Sequence, residues 1–154
     1  MVTRKTIDDF FAIKRMAMIG VSRDKNSYSR RLMADMQAKG YEVLAVNPNT
    51  ESVDGQKCYK SVADISPLPE AAIMLLPPDK TEAAMAECAK AGVKKVWMHN
   101  HIMAGVQNTR AIYEAEKGGI SLITGFCPFM FLPGTAFFHK MHGAVIKLFG
   151  QYPK

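Results

Sequence analysis

The sequence MAMIGVS at residues 16–22 decides the fold, because a nearly continuous apolar run there ends in a glycine and a serine. Four further apolar runs begin at residues 41, 71, 94 and 121, and they read YEVLAVN, AAIMLL, KKVWMH and SLITGF. Runs that are continuous rather than alternating are typical of strands buried on both faces of a sheet. The runs start 23 to 30 residues apart, which leaves room for one helix between successive strands.

Helical patterns fill these intervals. The patterns at residues 27–39, 79–91 and 106–117 each end before a glycine, and Asp79 is the expected N-cap of the second. Strands that alternate with helices at this spacing predict a parallel sheet with right-handed crossovers. We therefore predict an α/β, Rossmann-like three-layer domain, with a five-stranded parallel sheet and helices on both faces.

The length of 154 residues predicts one domain over residues 1–154, with a core at about 10–127. A helix over residues 6–14 is expected to dock on the sheet. A second terminal helix is predicted at about 134–149, with an apolar stripe of Phe138, Met141, Val145 and Leu148. Such a stripe is typical of a helix packed on a core, and a homodimer contact through this helix is the alternative.

Composition excludes several classes of protein. Hydrophobic residues make up 48% of the chain and charged residues 22%, values typical of globular domains and unlike those of disordered or collagen-like chains. No apolar stretch approaches the roughly 20 residues of a membrane span, and Asp8 and Asp9 lie where a signal peptide would be apolar. The three cysteines have no CxxC spacing, so they predict no disulfide framework or zinc knuckle. We expect a cytoplasmic protein.

The positive charge is concentrated near the N-terminus. Residues 1–31 hold eight basic and three acidic residues, so this segment contributes +5 of the net charge of +6. A local basic field suggests an anionic partner. Nucleic acid is not expected, because the sequence has no recognition motif and no basic face that recurs along a helix.

The residues that follow each strand are the candidates for chemistry, because open parallel sheets bind ligands at the carboxyl ends of their strands. Gly20 permits a tight turn after the first strand, and Ser22 and Ser27 offer hydroxyl groups before the next helix. The N-terminus of that helix is a site for phosphate, which Arg30 or Arg31 in its first turns would reach.

The sequence argues against an ordinary dehydrogenase. The GxGxxG fingerprint is absent, and the second strand ends in Asn47 and Pro48 where NAD enzymes carry an acidic residue for the ribose. The third strand ends in Leu76-Pro77-Pro78, a rigid apolar shelf against which an adenine ring would fit, although a double proline also simply ends a strand.

Taken in order, MIGVS, YEVLAVNP, LLPP and KKVWMH resemble the CoA-binding protein family over residues 10–127. Its members are small stand-alone Rossmann-like domains, similar to the N-terminal CoA-binding domain of the succinyl-CoA synthetase alpha subunit. The resemblance implies that coenzyme A is the cofactor and that CoA or an acyl-CoA is the partner.

The resemblance also assigns roles to matching residues. It implies a phosphate site at Gly20, Val21, Ser22 and Ser27, with Arg31, a ribose 3′-phosphate region at Asn47 and Pro48, and an adenine contact at Leu76, Pro77 and Pro78, with Thr81 beside it. The chain departs from the family pattern after the fourth strand, where WMHNH replaces a WLQ-type segment. His99 is carried over from this segment as the contact with the pantetheine arm.

A small CoA-binding protein without catalytic activity of its own is the expected function, because related ligases need an ATP-grasp domain and a phosphorylatable histidine in a second domain. The alternative is a nucleotide- or NAD-binding sensor or enzyme that uses the same pocket. Two minor hypotheses concern single residue types. One is a metal site made by His99, His101, His139 and His142, and the other is a reactive thiol at Cys127, paired with a histidine or with the thiol of CoA.

Overall fold

The computed structural model describes residues 2–99 and 108–132. The strands are β1 (Arg15–Ile19), β2 (Glu42–Val46), β3 (Ser52–Val53), β4 (Gln56–Tyr59), β5 (Ala71–Met74), β6 (Lys95–Met98) and β7 (Ser121–Thr124). The helices are α1 (Arg4–Phe11), α2 (Tyr28–Ala38), α3 (Pro78–Ala91) and α4 (Thr109–Lys117). None of the helices in these ranges has the length and apolar character that a membrane crossing requires.

Within the described residues, the strands form one sheet in the order β3-β4-β2-β1-β5-β6-β7. β1 lies parallel to both β2 and β5, and the parallel pairing continues from β5 through β6 to β7 and from β2 to β4. Strand order therefore reverses between β1 and β5, which places the expected ligand crevice at the carboxyl ends of these two strands.

Two buried clusters cover the two faces of the sheet. One contains Ile7 and Phe10 of α1 together with Leu32 of α2. The other contains Met85 of α3 and Ala111 of α4. The predicted Rossmann-like three-layer fold is confirmed, with α1 and α2 on one face and α3 and α4 on the other.

The predicted number of five strands is wrong, because β3 and β4 add an edge hairpin to the sheet. These strands are two and four residues long and carry polar side chains, so no apolar run marks them. Asp54 and Gly55 connect them with φ values of 49° and 74°. Two successive positive φ angles are typical of a type I′ hairpin turn, and an Asp-Gly pair favours that turn.

Two predicted helix starts are also corrected. The expected N-cap of α3, Asp79, lies inside the helix, which begins at Pro78 after Pro77, because proline fits the first helical position where no N–H is needed. The first helix spans Arg4–Phe11 rather than residues 6–14, since the Thr3 side chain accepts a hydrogen bond from the Thr6 N–H and caps it earlier. The predicted helix at 134–149, its apolar stripe and the homodimer contact lie outside the described residues.

Candidate functional site

A cavity of about 410 Å³ opens at the carboxyl ends of β1, β2 and β5. Of the residues singled out in the sequence, its wall includes Gly20, Asn47, Pro48, Leu76 and Pro77. The cavity lies on the side of the sheet covered by α3, whose Ala83 and Ala84 complete the wall. The structure thus brings the ends of three separate strands together at the topological switch point.

Gly20 permits the close approach of β1 to β5 at the cavity floor. Its φ is +91°, and a Cβ atom at this position would lie 2.4 Å from the Leu75 carbonyl oxygen. The backbone on both sides is fixed, because the Gly20 N–H donates to the Val46 carbonyl at 2.9 Å and the Leu75 N–H donates to the Ile19 carbonyl at 2.8 Å. Only glycine fits this conformation without moving the main chain.

Asn47 connects the end of β2 to the β1–α2 loop. Its side-chain Nδ2 donates to the Val21 carbonyl at 2.8 Å, and its Oδ1 accepts from the Asn49 N–H at 2.8 Å. Both ends of the amide are therefore used by the backbone. The Asn47 side chain shapes the cavity by holding two loops in place.

The β1–α2 loop, residues 20–27, is built by short side chains. The Ser22 N–H donates to Ser29 Oγ at 2.9 Å, and Ser22 Oγ accepts from the Asp24 N–H at 3.1 Å. Ser27 caps α2 by accepting the Arg30 N–H. The amides of Tyr28 and Ser29 in the first turn have no hydrogen-bond partner within the described part of the chain. A helix N-terminus with free N–H groups is a site for an anion.

Thr81 stabilises the apolar shelf made by Leu76, Pro77 and Pro78. Its side chain is fully buried, and its hydroxyl donates to the Pro77 carbonyl at 2.9 Å. This contact holds the turn from β5 into α3. Leu76 and Pro77 remain on the cavity wall, while Pro78 begins the helix.

Sequence reasoning missed two lysines, Lys60 and Lys80, that line the cavity. Neither forms an ion pair with any other residue in the described ranges. The wall also holds Glu87, whose carboxylate accepts a hydrogen bond from the Ser61 hydroxyl. Lys60 directly follows β4. Recognising the Asp54-Gly55 turn would have predicted β4, and with it the position of Lys60 at this edge of the sheet.

His99 lies away from the cavity wall, in an aromatic cluster with Tyr28 and Phe129. The His99 and Tyr28 rings stack with their centroids 4.8 Å apart, and Tyr28 Oη lies 3.2 Å from Cys127 Sγ. Burial, followed by the hydrogen bond with Cys127, raises the pKa of Tyr28 above its ordinary value. The cluster packs on the face that carries α1 and α2.

The other predicted site residues fall into three groups. Val21, Ser22 and Ser27 belong to the β1–α2 loop, and the exposed Arg31 lies in the first turn of α2. His101, His139 and His142 lie outside the described residues. In the described ranges, no group of three or more His, Cys, Asp or Glu side chains is arranged to hold a metal ion.

Comparison with known proteins gives a consistent result. A family model described as a CoA binding domain matches residues 14–133. The ADP-forming acetate–CoA ligase II of Archaeoglobus fulgidus is 33% identical over 88 residues, which are 56% of this chain and 13% of the ligase. The alpha subunit of the ADP-forming acetate–CoA ligase II of Pyrococcus furiosus is 33% identical over 91 residues, which are 58% of this chain and 20% of the subunit.

A solved structure of similar size shows the same fold. A hypothetical protein from Pyrococcus horikoshii OT3 superposes with a TM-score of 0.74 at 28% identity, covering 82% of this chain and 87% of the other. The two ligases are much longer, so this chain corresponds to a small part of each.

Proposed function

This chain belongs to the CoA-binding domain family, and we propose that it binds coenzyme A or an acyl-CoA at the carboxyl ends of its strands without catalysing a reaction alone. The observation that carries the proposal is the cavity at the switch point, where Gly20, Pro48 and Leu76 from three strand ends form one wall. A cavity at this position is where Rossmann-like sheets bind nucleotides.

The cavity wall and the β1–α2 loop, which begins on that wall at Gly20, suit the two parts of an adenosine phosphate. Leu76 and Pro77 offer a rigid apolar surface for the adenine ring. The β1–α2 loop and the free amides at the start of α2 offer donors for a pyrophosphate, and the exposed Arg31 lies in the same helical turn.

The two lysines favour CoA over NAD and ADP. CoA carries an additional phosphate on its ribose, and Lys60 and Lys80 place two positive charges on the cavity wall. The ribose of NAD would need an acidic partner, but the end of β2 offers Asn47, whose amide already binds the Val21 carbonyl and the Asn49 N–H. NAD or another nucleotide is therefore the second candidate.

A binding or carrier role is supported by the way the acidic residue on the cavity wall is held. The carboxylate on its wall, Glu87, is hydrogen-bonded to Ser61. The matched part of the two ligases is only 13% and 20% of their length. We propose that any chemistry on the acyl group takes place on a partner protein.

A thermal-shift series tests the proposal. The wild-type chain is heated with CoA, acetyl-CoA, NAD and ADP, each at the same concentration. Ligands that bind only the folded state raise Tm, so CoA or acetyl-CoA should give the largest increase. An increase in Tm with NAD, and none with CoA or acetyl-CoA, would support the nucleotide sensor instead.

A further inference from the structure

Arg30 is a buried cation close to the proposed phosphate loop. Its side chain is only 7% exposed, and its guanidinium forms an ion pair with Asp54. The Arg30 Nη1 group also donates to the carbonyl oxygens of Ser22 and Arg23, each at 3.3 Å. Burial of a guanidinium is costly unless its donors are used, so these three contacts hold the side chain in one place.

Two side chains hold three successive carbonyls of the loop. Asn47 binds the carbonyl of Val21, and Arg30 binds those of Ser22 and Arg23. In a trans peptide the N–H points away from the C=O of the same unit. The Arg23 N–H, which shares its peptide with the Ser22 carbonyl, therefore points away from Arg30, and it has no partner among the described residues.

Asp54 extends this support to the edge of the sheet. It lies in the turn between β3 and β4, and its own side chain is 58% exposed. The ion pair therefore joins the β1–α2 loop to the edge hairpin. No residue of β3, β4 or their turn is part of the described cavity wall, although Lys60, which follows β4, is.

We infer that Arg30 is a positioning residue for phosphate binding, which holds the β1–α2 loop so that the free Arg23 N–H faces the ligand, while Arg30 itself does not touch the ligand. The inference rests on the proposed function, since the phosphate is that of the CoA we place there. It also assigns the β3–β4 hairpin, through Asp54, a role in supporting the site.

The test compares Arg30→Met with Arg15→Met. Arg15 is a matched control, because it also binds a carbonyl, that of Pro67 at 2.7 Å, and an acid, Glu42 at 3.3 Å, but at the opposite end of the sheet. We expect Arg30→Met to weaken CoA binding at least about tenfold in calorimetry. We expect Arg15→Met to bind CoA within about twofold of wild type, since it touches no cavity residue.

Hydrogen exchange supplies a readout that does not require a ligand. In the Arg30→Met protein, the Ser22 and Asp24 amides, which donate to Ser29 Oγ and Ser22 Oγ, should exchange faster than in wild type, and in Arg15→Met they should not. Asp54→Asn should give a smaller change in the same direction, and it keeps the turn because asparagine tolerates a positive φ. This exposed substitution preserves the test if Arg30→Met does not fold.

The outcomes separate the two proposals. If wild type bound no CoA, the proposed function would fail, and exchange of the Ser22 and Asp24 amides would still decide whether Arg30 orders the loop. If wild type bound CoA and neither Arg30→Met nor Asp54→Asn changed the affinity, the positioning role would be overturned. Faster exchange of the Ser22 and Asp24 amides would then show that Arg30 only orders the loop.

Discussion

At the scale of single residues, Gly20 sets the distance between β1 and β5. Replacing it by alanine combines a strained φ of +91° with a Cβ placed 2.4 Å from the Leu75 carbonyl oxygen. Gly40 is the matched control, because its φ is +85° but an added Cβ would meet nothing within 4 Å. The comparison isolates the steric contact from the backbone strain.

We predict that Gly40→Ala lowers the free energy of unfolding by about 1–2 kcal/mol, the cost of the left-handed conformation. Gly20→Ala should cost about 1–3 kcal/mol more, because the main chain of the cavity floor has to move. Urea denaturation followed by circular dichroism measures both. Equal losses would show that the ends of β1 and β5 are not in close contact.

Lys80 provides a second prediction at this scale. Lys80→Gln removes one positive charge from the cavity wall, so the affinity for CoA should fall about three- to tenfold while Tm stays the same. Lys90→Gln is the control, since Lys90 lies on the same helix, α3, and is not part of the wall. A similar loss of affinity in both variants would point to net charge alone.

The buried thiol of Cys88 links stability to pH. Burial raises its pKa from 9.0 to about 12 in the folded protein. Between these values the unfolded chain releases a proton that the folded chain keeps, so stability falls as pH rises, by up to about 1.4 kcal/mol per pH unit. Urea denaturation from pH 8 to 11 should show a shallower decline for Cys88→Ala than for wild type. Identical slopes would mean that Cys88 titrates normally.

At the scale of elements, the cap of α2 forms part of the proposed phosphate site. Ser27→Ala removes the hydroxyl that accepts the Arg30 N–H, which should cost about 1 kcal/mol of stability and also weaken CoA binding. Thr3→Ala removes the corresponding cap of α1 and should cost a similar amount without changing affinity. Parallel denaturation and calorimetry separate the two effects. A loss of affinity in Thr3→Ala would attribute both to general destabilisation.

The central strands were the most predictable, because burial on both faces makes their sequences apolar. β1 and β5, for example, have four buried residues each. The two strands of the edge hairpin were not predictable by this rule, since β3 and β4 are short and each has only one buried residue. Their sequence signal is the Asp54-Gly55 turn rather than an apolar run.

The site was predictable to the extent that it is made of strand ends. Gly20, Asn47 and Leu76 each follow a buried run, and parallel strands bring their carboxyl ends to one edge. Lys60 was not assigned to it, because its position depends on the hairpin. Arg30 was expected to reach the phosphate directly, but its guanidinium is buried against Asp54 and two carbonyls of the loop. The role of Arg30 is visible only from its tertiary contacts with Asp54 and two carbonyls.

At the scale of the whole molecule, the structure changes the meaning of the basic N-terminal segment. Much of its positive charge is paired with acidic side chains of the same chain, since Arg4, Lys5, Arg15 and Arg30 all form ion pairs. The remaining cations near the β1–α2 loop are Arg23, Lys25 and Arg31, which have exposed side chains. The positive field around the loop therefore comes from fewer residues than the sequence count suggests, with Lys60 and Lys80 added from elsewhere.

Binding of CoA at the carboxyl ends of the strands is tested most directly by an NMR titration of the ¹⁵N-labelled chain. Saturating CoA should shift the amide signals of Gly20, Arg23, Asn49 and Lys80, which lie on the cavity wall or in the phosphate loop. The signals of Arg15 and Ser121, at the amino ends of β1 and β7, should stay in place. Shifts confined to the amino ends, or no shifts with CoA, would contradict the proposed site.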